Sequence, residues 1–104
     1  SGHVVRGVEF YRGRPILYCL GDFVDDYAVD EVERNDQSVI CVVEWAAGAV
    51  RRVRLHPTVI RAMQARRADR EEAEAIAGLL ARLCQPFGTR TRWDPEHQVM
   101  ELTP

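Results

Sequence analysis

Residues 38–56 read SVICVVEWAAGAVRRVRLH, and this stretch decides the fold. Val39, Cys41, Val43 and Trp45 share one face of an extended chain, while Ile40 and Val42 make the other face apolar too. A strand apolar on both sides is expected at the centre of a sheet. Ala46, Ala47 and Gly48 supply a turn. On the return, residues 49–56, Val53 and Leu55 alternate with Arg52 and Arg54, so that strand is expected to keep one wet face. Pro57 is expected to end it, with residues 58–67 extended at first and then looped.

Working towards the N-terminus, residues 4–11 read as a strand in which Gly7 marks a bulge or a close approach of backbones. Arg12, Gly13 and Arg14 form a tight turn, and the apolar residues 15–20 are expected to return as a buried strand. Residues 22–36 carry seven acids (Asp22, Asp25, Asp26, Asp30, Glu31, Glu33, Asp36) against Arg34 and show no periodicity, which reads as a surface loop. The stretch lacks the alternating ligand spacing and central glycine of a calcium loop.

Working towards the C-terminus, residues 69–85 read as an amphipathic helix. Asp69 is the N-cap with Glu72 three residues on, and Glu71, Glu72 and Glu74 load the positive end of the helix dipole. Ala73, Ile76, Leu80 and Leu83 fall on one stripe, and Pro86 and Gly88 stop the helix. Residues 91–93 and 99–102 are expected as short edge strands around Asp94 and Pro95. Hairpins followed by one helix and a last hairpin give an α+β class, a mainly antiparallel sheet with the helix packed on it.

Composition narrows the function. The 104 residues make one domain, 46% hydrophobic and 29% charged, as in an ordinary globular protein. The net charge of -2 and pI near 5.9 argue against a nucleic-acid partner, which would call for a basic domain. No apolar run nears the roughly 20 residues that span a bilayer, and no secretory leader is legible. Cys19, Cys41 and Cys84 are widely spaced and read as buried thiols; unpaired cysteines favour a reducing compartment. His56 beside Pro57 and His97 in a polar turn read as structural or solvated residues. Arg51, Arg52 and Arg54 read as a wet strand face pairing with the acidic loop or the helix, with an anion site as the sharper alternative.

The first 27 residues, SGHVVRGVEFYRGRPILYCLGDFVDDY, carry a resemblance. They are similar to a late block of the bacterial capsule synthesis, or poly-γ-glutamate synthesis (CapA-type), proteins. That block reads His-x-x-His, Val-x-x-Gly-Ile/Val-Glu-x-Tyr, a glycine turn, Pro-Ile and Leu-Gly-Asn/Asp-Phe. Here it falls on His3, on Val4, Gly7, Val8, Glu9 and Tyr11, on Gly13, Pro15 and Ile16, and on Leu20, Gly21, Asp22 and Phe23. Weaker similarity runs on through Pro57, the helix and Phe87, Gly88 and Thr89.

The resemblance implies that the chain is the C-terminal portion of a longer protein built as a calcineurin-like metallophosphoesterase sandwich. Such bodies hold two divalent metal ions (Mn, Zn or Fe) on Asp, Asn and His ligands and activate a water for attack at phosphorus. Only His3 falls on a metal-ligand position, the second His of the block, and Asp22 stands where many relatives carry Asn. With one candidate ligand, the chain alone is expected to bind no metal and to be inactive. Its expected partner is the N-terminal half of the longer protein. A rival reading makes it a non-catalytic binding module whose exposed sheet pairs with a second copy. The resemblance implies a cell-envelope-associated parent, against the reducing location the cysteines favour.

Overall fold

A computed structural model describes residues 2–23 and 34–104. Among the described residues, seven strands and one α-helix follow in order: β1 (Val8–Tyr11), β2 (Arg14–Leu17), β3 (Gln37–Ala46), β4 (Ala49–Arg61), β5 (Gln64–Arg67), α1 (Arg70–Cys84), β6 (Arg90–Asp94) and β7 (Val99–Thr103). β1 and β2 form a separate antiparallel hairpin. The main sheet runs β3-β4-β7-β6, with β5 also paired to β4, and every pairing is antiparallel. The expected α+β class with one helix on an antiparallel sheet is what forms.

The helix follows its sequence signals closely. Asp69 accepts from the Glu72 backbone N–H at 2.8 Å, and the Glu72 carboxylate accepts from the Asp69 N–H at 3.1 Å, closing a capping box. Ala73, Ile76, Ala77, Leu80 and Cys84 are buried against Val53, Leu55, Val59, Met100 and Leu102 of the sheet. The centre of the sheet is β4, which differs from the expectation for residues 38–45. Among the described residues β3 pairs along its length with β4 alone, and Ile40, Val42, Val43 and Trp45 stand exposed. Periodicity registers which residues are apolar, whereas the place of a strand is set by which neighbours arrive, and here β7 takes the inner position.

Pro57 lies inside β4 rather than ending it. It stands opposite Val39, whose N–H donates to the Leu20 carbonyl at 3.3 Å, so β3 asks no donor of the proline at this position. The chain then turns at Ala62 and Met63, both at positive φ (48° and 61°), and β5 forms where a loop was expected. β7 is likewise an inner strand and not an edge. In the first hairpin the regular strands are shorter than expected: Val5 only bridges Leu20, and Leu17 and Tyr18 are exposed rather than buried. Cys84 is fully buried, but Cys19 and Cys41 are only half-buried. The greater part of the acidic loop, residues 24–33, lies outside the described residues.

Gly7 explains how the hairpin seats. A Cβ at this position would stand 2.7 Å from the Leu83 carbonyl carbon and closer still to its oxygen, so only glycine lets this strand cross the end of α1. The seat is tied by Val8 N–H donating to Cys84 Sγ at 3.3 Å and by Thr89 Oγ1 donating to the Val8 carbonyl at 2.6 Å.

Candidate functional site

A backbone bond joins the segment that precedes β1 to the one that follows β2, and a side-chain bond ties the latter to β3. Arg6 N–H donates to the Cys19 carbonyl at 3.0 Å, and the Ser38 hydroxyl donates to the Leu20 carbonyl at 2.7 Å. Gly21, at φ 89°, passes so close to β3 that a Cβ would meet the Gln37 carbonyl oxygen at 3.0 Å. These constraints fix Asp22, whose side chain is 11% exposed, beneath His3, whose side chain is 58% exposed. His3 Nδ1 lies 3.0 Å from Asp22 Oδ1 and 3.3 Å from Oδ2.

A carboxylate can only accept, so the ring nitrogen facing it, Nδ1, carries a proton, and in the neutral tautomer this leaves the lone pair on Nε2. A histidine that ligates a metal is commonly held this way, with a carboxylate on the second nitrogen fixing the tautomer and raising basicity. The pair therefore fits one corner of a metal site. Among the described residues, no group of three or more His, Cys, Asp or Glu side chains is placed to hold a metal ion. The sequence reading singled out both residues but gave Asp22 no role; the 19-residue separation hides a contact that only the closed hairpin makes.

The other candidates fall elsewhere. His97 Nδ1 pairs with Asp94 Oδ2 at 2.8 Å in the β6–β7 turn, which raises the imidazole pKa and lowers that of the carboxyl. Burial raises the thiol pKa values of Cys41 and Cys84, keeping them protonated and poor nucleophiles. Arg52 and Arg54 do not turn to the helix: both pair with Glu44 on β3, at 3.5 and 2.8 Å. Asp36, at the end of the acidic stretch, is held by Arg34 at 2.8 Å.

The sheet face away from α1 holds what sequence spacing could not show. His56 lies in mid-strand, facing Ile40 across the pair with β3 and near Arg54, and is not at a strand end. A cavity of about 790 Å³ opens over this face, lined by Arg52, Arg54, His56, Arg67 and Arg92 among others. Five strands, β3 to β7, contribute to it, so no local motif announces it.

Residues 1–27 match the family described as Bacterial capsule synthesis protein PGA_cap. Over its whole length the chain is 31% identical to a probable polyglutamine synthesis accessory protein of Mycobacterium tuberculosis, in strains H37Rv and CDC 1551 alike. The chain spans 28% of the length of these curated relatives.

Proposed function

We propose that this chain, a relative of the bacterial capsule synthesis proteins, is the portion of a polyglutamate-capsule accessory protein that supplies one edge of a metal centre. His3 is the ligand it contributes, through Nε2, and Asp22 is the residue that orients it. The remaining ligands come from the N-terminal half of the longer protein, which completes a body of the calcineurin-like metallophosphoesterase kind. Divalent Mn, Zn or Fe bound there would activate a water for phosphoester hydrolysis. The chain by itself, with one such ligand, is inactive. The observation that carries this reading is the His3–Asp22 contact, because it joins the two ends of the family-matched segment in the geometry a metal-bound histidine uses.

The test is a titration of Mn²⁺ and Zn²⁺ into the chain and into the full-length protein, with phosphomonoester and phosphodiester hydrolysis as readouts. The expected result is no turnover by the chain, and in the full-length protein a metal affinity lowered on the order of 10–100-fold by Asp22→Ala. Metal-dependent turnover by the chain that disappears in His3→Ala would overturn its inactivity.

One observation favours a second reading, assembly. The outer edge of β3 is unpaired beyond Val39 among the described residues, and it carries exposed Val42, Val43 and Trp45 with no proline, lysine or arginine to guard it. Sedimentation equilibrium separates the cases: a dimer supports pairing between copies, and a strict monomer with low hydrophobic-dye binding removes it. No described helix is long and apolar enough to cross a membrane.

A further inference from the structure

The two members of the His3–Asp22 pair are held unequally. Asp22 follows Gly21, which passes tight against Gln37 and Ser38 of β3, and the Ser38 hydroxyl secures the Leu20 carbonyl just before it. Gly2 and His3 are exposed instead, and a Cβ at Gly2 would meet nothing within 4 Å, so packing does not fix the segment that carries the imidazole. Among the described residues, hydrogen bonds reach Gly2 and His3 from two side chains: Asp22 on the His3 ring and Cys19 on the Gly2 carbonyl. The second of these is a bridge. The Cys19 thiol donates to the Gly2 carbonyl at 3.2 Å, and its sulfur accepts from the Gly21 N–H at 3.4 Å. Gly2 adjoins His3 and Gly21 adjoins Asp22 in the chain, so one sulfur ties together the two backbones on which the pair stands. Cys19 has a fixed base for this, because its own carbonyl accepts from the Arg6 N–H at 3.0 Å and its neighbour Leu20 bridges Val5.

We propose that Cys19 is a positioning residue for the His3–Asp22 pair, its thiol holding the imidazole against the carboxylate with Nε2 free for a metal. The consequence for metal binding rests on the reading of the pair as one corner of a metal centre. The sequence presents Cys19 as a small buried hydrophobe, yet it is only half-buried, and both its donor and its acceptor capacity are in use. A thiol makes weak hydrogen bonds, but an exposed segment with few other ties needs little to bias it. An imidazole poised for only part of the time binds a metal in proportion to that part, so loosening the bridge lowers the apparent affinity by the same factor.

The experiment compares the parent with Cys19→Ala and Cys19→Ser. Alanine and serine give up nearly the same volume, but only serine keeps a donor and an acceptor, so the difference between them reports the hydrogen bonds and not the packing. In the isotope-labelled chain, in mildly alkaline buffer, the ring nitrogen shifts of His3 read the tautomer. The parent is expected to carry its proton on Nδ1, Cys19→Ala to show a mixture of both tautomers, and Cys19→Ser to return towards the parent. Cys41→Ala also removes a half-buried thiol and leaves the His3 ring signals unchanged. In the full-length protein, Cys19→Ala lowers Zn²⁺ affinity about fivefold and Cys19→Ser restores it. Parent-like ring shifts in Cys19→Ala, or equal displacement by alanine and serine, overturn the proposal and leave the metal reading standing. A full-length parent that binds no Zn²⁺ overturns the metal reading and the change in affinity with it, while the ring signals in the chain still decide whether Cys19 positions the pair.

Discussion

Replacing Gly7 by alanine tests how the first hairpin is held to the core. The added Cβ would sit 2.7 Å from the Leu83 carbonyl carbon and 3.0 Å from the Phe87 ring, and closer than either to the Leu83 oxygen. Backbone at the end of α1 cannot rotate away as a flexible side chain could, so hairpin and helix must separate by roughly 1 Å. Overpacking of this kind costs about 1–3 kcal/mol. The separation also stretches the Val8–Cys84 and Thr89–Val8 hydrogen bonds, each worth on the order of 1 kcal/mol. A total near 3 kcal/mol corresponds to a fall in Tm of roughly 12–24 °C for a domain of this size. Urea unfolding followed by circular dichroism gives the number. Gly13→Ala is the comparison, since its Cβ meets open space and only its φ of 76° resists, a cost of about 1 kcal/mol. A Gly7→Ala protein within 0.5 kcal/mol of the parent, or more stable than Gly13→Ala, would refute the steric argument.

Further outcomes follow from the same contacts. Gly78 lies inside α1 with only the Arg82 guanidinium near, at 3.6 Å, so Gly78→Ala should raise stability by about 0.5–1 kcal/mol in the same unfolding assay. Asp69→Ala removes half of the capping box and should cost about 1 kcal/mol; a neutral result would mean that the pairing of Arg61 with Glu72 holds the helix start by itself. NMR titration should find His97 with a midpoint above 6.5 and His56 below it. The two act in opposite senses on stability. The His97 contribution is full below pH 6.5 and fades as pH rises through its raised folded value. His56 costs stability as pH falls from 6.5 towards its lowered folded value, because the unfolded chain takes the proton first. Asp94→Asn should bring the His97 midpoint back towards 6.5 and leave His56 in place.

The helix was legible because its signals are local: the cap, the Glu72 partner and the apolar stripe all lie within one segment. The hairpin turn at Ala47 and Gly48 was legible for the same reason, with both residues at positive φ. The turn at Ala62 and Met63 was hidden, since neither residue advertises a left-handed backbone. Strand order was hidden as well, because β3 and β4 are both rich in apolar residues and only the arrival of β7 makes β4 the centre. At the candidate site, His3 was reached through a motif and Asp22 lay beside it in the same motif, but their contact depends on hairpin closure and on the tight passage at Gly21. The arginine-lined cavity escaped the sequence because Arg54, Arg67 and Arg92 come from three strands, joined only by register.

The measurement that bears most directly on the account is the metal content of the full-length protein, purified with manganese or zinc, for wild type and His3→Ala compared by elemental analysis. If His3 completes a metal centre, the variant holds less metal per chain while its folding transition stays at the parent temperature. Equal metal content in the two proteins would contradict the account.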